Sequence, residues 1–494
     1  MKKVTIIGAG IAGLTAGIYA LQSGFDVTIY ESHTIPGGAS TSWRRKGYLF
    51  EGGMHWLTGS SPHTPLHKLW REVGALDDSV QVYNRDPFLS FEYDGQTACL
   101  YRDVNQLREH LLSLSPVDAK EIHRLCKDIR KFAKIAMPIA DIKGLKVKNK
   151  SSMSASSALS MLPALMRMSF YANQTSRELA RRFQSPLLRL MFENIVGGEN
   201  SALATIFTIA TLASGDGGYP EGGSLGMAAR MAKQLEALGG TIVYNNPVDR
   251  VWVENGAARG VILHGEHLPS DAVIVTQDAL AAIDDLFDSP ITEPWAQQMR
   301  KSTKPMLNTF ISVGIEADLS DCPGCFCFLA DEPLVCGNLS EALININNYA
   351  GYPGYAPEGC TAITAPIMGD SYDFWKRCQE DDTYEVEKQK LAETFLRELG
   401  KRIPKTIGKA AVWDVATPLT YERYLRSYKG SWMSVMGKGS MLGRYPCKPE
   451  SLRNLYFAGQ RLLSPGGLPA ALETGRRAVQ HLCLDENMMF QGNT

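Results

Sequence analysis

From Val4 the 494-residue chain reads VTIIGAGIAGLTAGIYALQSGFDVTIYES, a β-branched run, a glycine turn, an Ala/Leu-rich helical stretch and a second β-branched run. That order is one βαβ unit. Gly8, Gly10 and Gly13 stand at G-x-G-x-x-G spacing, with Ala12 in the same first helical turn. Gly8 permits the tight turn, Gly10 lets a pyrophosphate approach the backbone, and Gly13 lets the helix pack close to the strand. Glu31 closes the second strand eighteen residues after Gly13. A carboxylate there accepts from both ribose hydroxyls, which favours an unphosphorylated adenosine ribose such as that of FAD or NAD.

The remainder of the chain narrows the class. Length alone suggests about three units of ~150 residues, and two large interleaved domains also fit. A formal net charge of −1 with 21% charged residues gives no global basic field of the kind that gathers phosphate backbones, so nucleic acid is not an expected partner. The ten cysteines lack the even framework of a small secreted domain, and a reducing, cytoplasmic setting is the expectation. The opening MKKVTIIGAGIAGL has lysines before an apolar run, but its glycines argue against a signal peptide. No apolar window reaches the ~18 residues a spanning helix needs. The segment 485–494 reads as a polar, fraying tail. GKGSMLG from Gly437 has the wrong last spacing, and Pro446 and Pro449 prevent a following helix, so it is expected to be a loop. Cys322 and Cys325 have zinc-ligand spacing, but no second C-x-x-C or His pair follows, and the phenylalanines between Cys325, Cys327 and Cys336 suggest a buried strand. No metal is expected. There is no Ser/His/Asp hydrolase signature, no H-E-x-x-H and no P-loop.

A second glycine-rich stretch follows the first unit. Gly37-Gly38 comes shortly after Glu31, and then GYLFEGGMHW over 47–56. This pattern resembles the second signature of glutathione-reductase-type flavoproteins, in the branch that holds phytoene desaturases, carotenoid isomerases and retinol saturases. The resemblance covers most of the chain. It implies that the first glycine pair lets backbone approach the FAD pyrophosphate and that the second passes close to the isoalloxazine ring. Gly37, Gly38, Ala39, Ser40, Gly53, Met54 and His55 are then cofactor contacts, with His55 also the catalytic acid/base candidate. Phytoene desaturases usually carry Arg after the first pair, where Ala39 and Ser40 stand here, which tilts the likeness toward saturases and isomerases.

The far end matches the same family. NLYFAGQRLLSPGGLPAALETGRRAVQHL reads as a strand, a turn at Gly459, a loop with Gly466-Gly467 and a helix with Pro469 in its first turn. A helix N-terminus offers free N–H donors and a positive dipole to the electron-rich edge of a reduced flavin. The resemblance makes Gly459, Gln460, Gly467, Leu468 and Pro469 cofactor contacts, Gln460 standing where many relatives have Asp or Glu. Between the two ends, an amphipathic helix, a strand and an Asn255-Gly256 hairpin are expected, Val248 sits where a family residue contacts adenine through its backbone, and DAVIVT returns to the sheet.

The expected fold is α/β: a discontinuous Rossmann-like FAD-binding domain (1–75, 216–285 and 431–484) interleaved with a substrate domain of mixed sheet plus helical cap (76–215 and 286–430). Two features of the second domain invite a functional reading. From 120 to 150 there are ten Lys/Arg against Glu121, Asp128 and Asp141, followed by the methionine-rich SALSMLPALMRMSFY. Basic residues beside an amphipathic apolar segment suit peripheral contact through 120–170 with an anionic inner membrane face, although charge runs are usually solvated helix faces. Tyr421, Tyr424, Tyr428 and Trp432 resemble the family's aromatic pocket walls, and core packing explains them equally.

The resemblance implies an FAD oxidoreductase, its cofactor non-covalent, acting on carbon–carbon bonds of an apolar polyene or isoprenoid-like substrate by desaturation, saturation or isomerisation. An amine oxidase on the same fold and a non-enzymatic prenyl binder are the alternatives. Oligomeric state, direction of reaction and redox partner are not read from the residues.

Overall fold

The structure, a computed structural model, describes residues 1–135, 139–147, 155–439, 443–464 and 466–492, with backbone alone for 155–161. Five strands lie in the spatial order Leu455–Phe457, Ala272–Val275, Lys3–Ile7, Asp26–Tyr30 and Thr241–Val243, all parallel. Ile6, Ile29, Ile274 and Phe457 are wholly buried, because helices cover both faces of a parallel sheet and leave no polar side to the strands. The crossover helix Ile11–Gln22 is buried along Ile11–Ala20. Its small residues are where neighbours come close. A Cβ at Gly17 would sit 2.5 Å from Leu235 of the helix Gly223–Ala237, and one at Gly475 of the last helix, Gly467–Asp485, would sit 2.5 Å from the Ala12 carbonyl oxygen.

A mixed seven-stranded sheet stands beside this one, in the order Ala410–Ala416, Asn308–Ile315, Thr361–Met368, Leu339–Asn348, Cys325–Cys336, Leu89–Tyr93, Gln96–Leu100. One face carries Ile311, Val313, Ile344, Ile346 and Ile363 into a core shared with Leu391, Phe395 and Leu399 of the helix Tyr384–Arg402. Since side chains alternate along a strand, Phe310, Ser312 and Gly314 point the other way. There they meet the hairpin Ser42–Arg45/Tyr48–Glu51: Trp43 packs on Phe310 at 6.1 Å between centroids, and the Tyr48 ring comes within 2.6 Å of where a Gly314 Cβ would be.

Helices Val104–Leu114, Ala119–Phe132, Ala155–Ala172, Pro186–Asn194 and Ala202–Ala213 close a further core as a cap. Asn255 and Gly256, at φ of 51° and 68°, turn the hairpin between Arg250–Glu254 and Ala257–Leu263, as the two left-handed positions of a tight hairpin turn require.

The end of the chain departs from expectation. Phe490 is wholly buried, packs on Tyr19 at 5.3 Å, and donates its N–H to the Lys146 carbonyl at 2.9 Å. Phe490, with Met488 packed against the same core, docks a short segment that is polar on either side. Of the GKGSMLG stretch, Ser440–Leu442 lie outside the described residues, as do Lys148, Lys150 and the side chains of the early part of the methionine-rich segment.

Candidate functional site

The carboxyl ends of the five parallel strands form one edge, and the glycine-rich segments gather there. Gly8 follows the first strand with φ of 101°. A Cβ on Gly13 would lie 1.9 Å from the Gly8 carbonyl oxygen, so the helix can sit against the turn only with glycine there. Gly10 caps the helix without any side-chain hydrogen bond, and its nearest neighbours, Gly37 O and Gly38 Cα, would stand 3.8 and 3.9 Å from a Cβ. Gly37 joins that loop by donating its N–H to the Ala9 carbonyl at 2.9 Å. Two glycine clusters 27 residues apart thus form one backbone-walled surface before the free N–H groups of a helix start, including that of Ala12, a surface suited to a diphosphate.

Glu31 is buried at the end of its strand. Its carboxylate accepts from the Ala9 N–H at 2.6 Å and the His33 N–H at 2.8 Å. These bonds fix it at the sheet edge, with lone pairs left for further donors. Val248 is buried, and its carbonyl accepts from Arg426 at 3.4 Å.

The second glycine pair is held by a residue that spacing alone did not single out. Glu51, 1% exposed, accepts from the N–H groups of Gly53 (2.8 Å), Met54 (3.0 Å) and Ser224 (2.9 Å) and from the Tyr219 hydroxyl (2.7 Å). Five donors including Ser42 converge on this one carboxylate, so it locks 52–54 against the helix Gly223–Ala237. A Cβ on Gly53 would lie 2.7 Å from the Ala39 carbonyl oxygen and 2.9 Å from the Ser40 Cα. The second pair is therefore folded onto the residues that follow the first. Beyond Glu51 the hydroxyl of Tyr219 bonds that of Tyr355, and Tyr349 stacks on Tyr355 at 4.8 Å. Burial, then the Glu51 charge, raises the pKa of Tyr219 and Tyr349 well above the ordinary value and keeps both phenols neutral. The Tyr349-x-x-Tyr352-x-x-Tyr355 spacing is a signal that could have pointed to this cluster.

His55 follows directly and is half-buried. Burial lowers its pKa, Glu51 and a hydrogen bond with Asn347 oppose that shift, and the Arg85 charge adds to it. The neutral imidazole is the favoured form.

The last helix supplies the other end of the site. It begins at Gly467, capped by Gly466 without a side-chain bond. Gln460 reaches both sides of the preceding loop: its Nε2 donates to the Trp432 carbonyl, and its Oε1 accepts from the Gly467 N–H at 2.9 Å. Its carboxamide is engaged within the protein, so it positions the helix start and brings the aromatic segment to it. Gly459, with φ of 137°, donates to Thr474 at 2.9 Å. Leu468 and Pro469 lie in the first turn. Of the four aromatics of the segment, Tyr424 and Tyr428 are 45% and 41% exposed, while Tyr421 turns inward to Asn308 and Trp432 turns inward with a buried, unpartnered Nε1.

Unpartnered buried polar atoms also line the glycine surface: Ser40 Oγ and Ser224 Oγ, each beside Gly53. Helix starts with glycine caps, glycine walls and lone hydroxyls form a donor set that fits an elongated ligand with a diphosphate and a polar flat ring. Cys325, Cys327 and Cys336 lie on one strand that is buried over 325–328 but exposed at Leu329 and Val335, and burial raises all three thiols. Among the described residues no group of three or more His, Cys, Asp or Glu could hold a metal ion, and no helix is long and apolar enough to cross a membrane.

A family model described as flavin containing amine oxidoreductase matches residues 11–483. The chain is 24% identical to a 4,4'-diapophytoene desaturase of Methylomonas sp. over 99% of its length and 97% of that protein's. It is 24% identical to the chloroplastic prolycopene isomerase of Daucus carota, over 97% of this chain and 80% of that protein. Among solved structures an oxidoreductase from Methanosarcina mazei superposes with a TM-score of 0.60 at 18% identity, covering 97% of this chain and all of the other.

Proposed function

The chain belongs to the flavin containing amine oxidoreductase family, and from that premise we propose an FAD-dependent oxidoreductase acting on carbon–carbon bonds of an apolar polyene or isoprenoid-like molecule. Within the family it falls in the branch of the carotenoid desaturases and isomerases, and its cofactor is a flavin. The observation that carries the proposal is the convergence of two helix starts, one capped by Gly10 and one by Gly466 without a bond from the cap residue's own side chain, with the Gly37-Gly38 and Gly52-Gly53 pairs on one sheet edge.

The residues divide the cofactor between them. Glu31 takes the adenosine ribose, and Val248 the adenine. Gly8, Gly10, Ala12, Gly13, Gly37, Gly38, Ala39 and Ser40 take the diphosphate side. Gly53, Met54 and His55 meet the ring from one direction and Gly459, Gly467, Leu468 and Pro469 from the other. FAD is held by these contacts, without a covalent link. A bound flavin supplies hydride acceptance or donation at its N5. The protein's part is to hold the reacting carbons there, exclude water, and place a proton carrier beside them. His55, neutral at rest, takes that proton at a ring nitrogen in the oxidising direction, and in the reducing direction it must first be protonated and then returns the proton as the imidazolium.

The test is anaerobic absorbance of the flavin-loaded protein during addition of a polyene or of a primary amine. Change of flavin redox state by the polyene supports the proposal. Bleaching by the amine, with no response to the polyene, replaces it with amine oxidation.

An apolar substrate also has to be collected. Leu162, Leu165 and Met166 are 50%, 44% and 74% exposed on the cap helix, near the basic face of Ala119–Phe132 carrying Lys120, Arg124, Lys127 and Arg130. This pairing supports peripheral contact of a cytoplasmic protein with an anionic bilayer. Co-sedimentation with phosphatidylglycerol vesicles at low salt is expected, and its absence there sets the idea aside.

A further inference from the structure

Three adjacent strands of the seven-stranded sheet carry a straight row of polar side chains on the face turned to the hairpin Ser42–Glu51. Ser312 is paired with Thr364, and Thr364 with Asn347, so successive members stand roughly 5 Å apart. Ser312 and Thr364 are 0% exposed and Asn347 5%. Ser312 Oγ and Asn347 Nδ2 are buried without a hydrogen-bond partner among the described residues, while the Thr364 hydroxyl between them turns to Tyr349. Asn347 hydrogen-bonds His55, whose pKa also feels the Arg85 charge, and Asn347 pairs across the sheet with Cys325, next to the Gly324 that Arg85 holds. The Arg85 guanidinium donates from Nη1 to the Gly324 carbonyl at 3.0 Å and stands 5.1 Å over the Phe88 ring. Its Nε is buried without an acceptor, and no carboxylate lies within 4.0 Å of it among the described residues.

Buried donors are almost always paired, and a cation more strictly than a neutral group. A hydrocarbon offers none of them an acceptor. Elsewhere the protein satisfies such groups internally, as it does for Arg461 with Asp278, Ser431 and Ser434. Resting on the reading of this site as one for polyene or isoprenoid-like molecules, we infer that its substrate is amphipathic: an apolar chain ending in a carboxylate received by Arg85 and Asn347. Anchoring one end fixes which carbon–carbon bond lies before the flavin, so the same residues set regiochemistry.

The probes are all-trans-retinoic acid and its methyl ester, titrated at about pH 8, where the acid is ionised, into the flavin-loaded protein while the flavin absorbance is followed. The acid is expected to bind at least about tenfold more tightly than the ester. Arg85→Gln should remove that preference and leave the ester's affinity within about twofold, whereas Arg85→Lys keeps part of it. Should Arg85→Gln fail to fold, Asn347→Leu serves, with a severalfold loss of preference expected. Equal affinities in the unaltered protein, or a preference that survives Arg85→Gln, overturn the inference and assign the row to bound water. Binding of the ester without discrimination leaves the polyene reading standing. If neither probe perturbs the flavin, that reading falls and this inference with it.

Discussion

At Gly13 one added carbon would meet the Gly8 carbonyl oxygen at 1.9 Å, whereas at Gly10 it would meet nothing closer than 3.8 Å. Two glycines of one motif are therefore required for different reasons, and their variants should separate. Gly13→Ala is expected to cost about 1–3 kcal/mol of stability, because helix and turn must part. Gly10→Ala should melt close to the unaltered protein and yet retain less flavin, since the methyl group occupies the diphosphate's approach. Thermal melts alongside released-flavin content check both, and equal effects would contradict the division of roles. His55 gives a prediction in pH. Its folded pKa is lowered, chiefly by burial, so the unfolded chain takes the proton first, and His55 makes stability fall as pH drops below the ordinary histidine value of about 6.5. His55→Gln should remove that acid-side slope and lower turnover by roughly 100-fold or more with flavin content unchanged. Retained turnover would make His55 structural. The glycine spacings were readable because they are local. Glu51 and the Ser312–Thr364–Asn347 row were not, since their meaning depends on strand register and on a helix some 170 residues away.

Among the elements, the cap helix Ala119–Phe132 shows how a basic run can be partly structural. Asp128, 2% exposed, accepts from Lys131 at 3.0 Å, Arg167 at 2.6 Å and Tyr171 at 2.8 Å. Burial pushes its carboxyl up, but the bonds from Arg167, Lys131 and Tyr171 outweigh it and hold the pKa below the ordinary range. A depressed folded pKa stabilises fully above the unfolded value of about 4 and is lost as pH falls through the lower one. Asp128→Asn should therefore destabilise the cap by about 1–3 kcal/mol at neutral pH and flatten the acid end of the stability profile, read by urea denaturation against pH. An unchanged profile would contradict the pairing. The tail makes a parallel case: Phe490→Ala should lower stability by about 3 kcal/mol, as loss of a buried aromatic does. Its docking was hidden in the sequence because Met488, Met489 and Phe490 are a three-residue apolar run between polar ones, too short to show a periodicity.

Over the whole molecule, strands from 3–30, 241–275 and 455–457 return to one parallel sheet, and each return brings a turn to the same edge. Both ends of the chain announced this through glycines and helix starts, which local backbone geometry dictates. The seven-stranded sheet gave weaker signals, because its strands come from 89–100 and 308–416 and only long-range pairing brings them together. The central claim is that this shared edge holds a flavin against a polyene's carbon–carbon bond. Its most direct test is a single anaerobic turnover, mixing oxidised or chemically reduced flavin-loaded protein with a polyene carboxylic acid and resolving the recovered polyene by chromatography and mass spectrometry. The account predicts a product that has gained or lost two hydrogen atoms, or changed double-bond geometry, in one flavin state and not the other. Recovery of unchanged polyene from both states, with the flavin instead reduced by a primary amine, would contradict it.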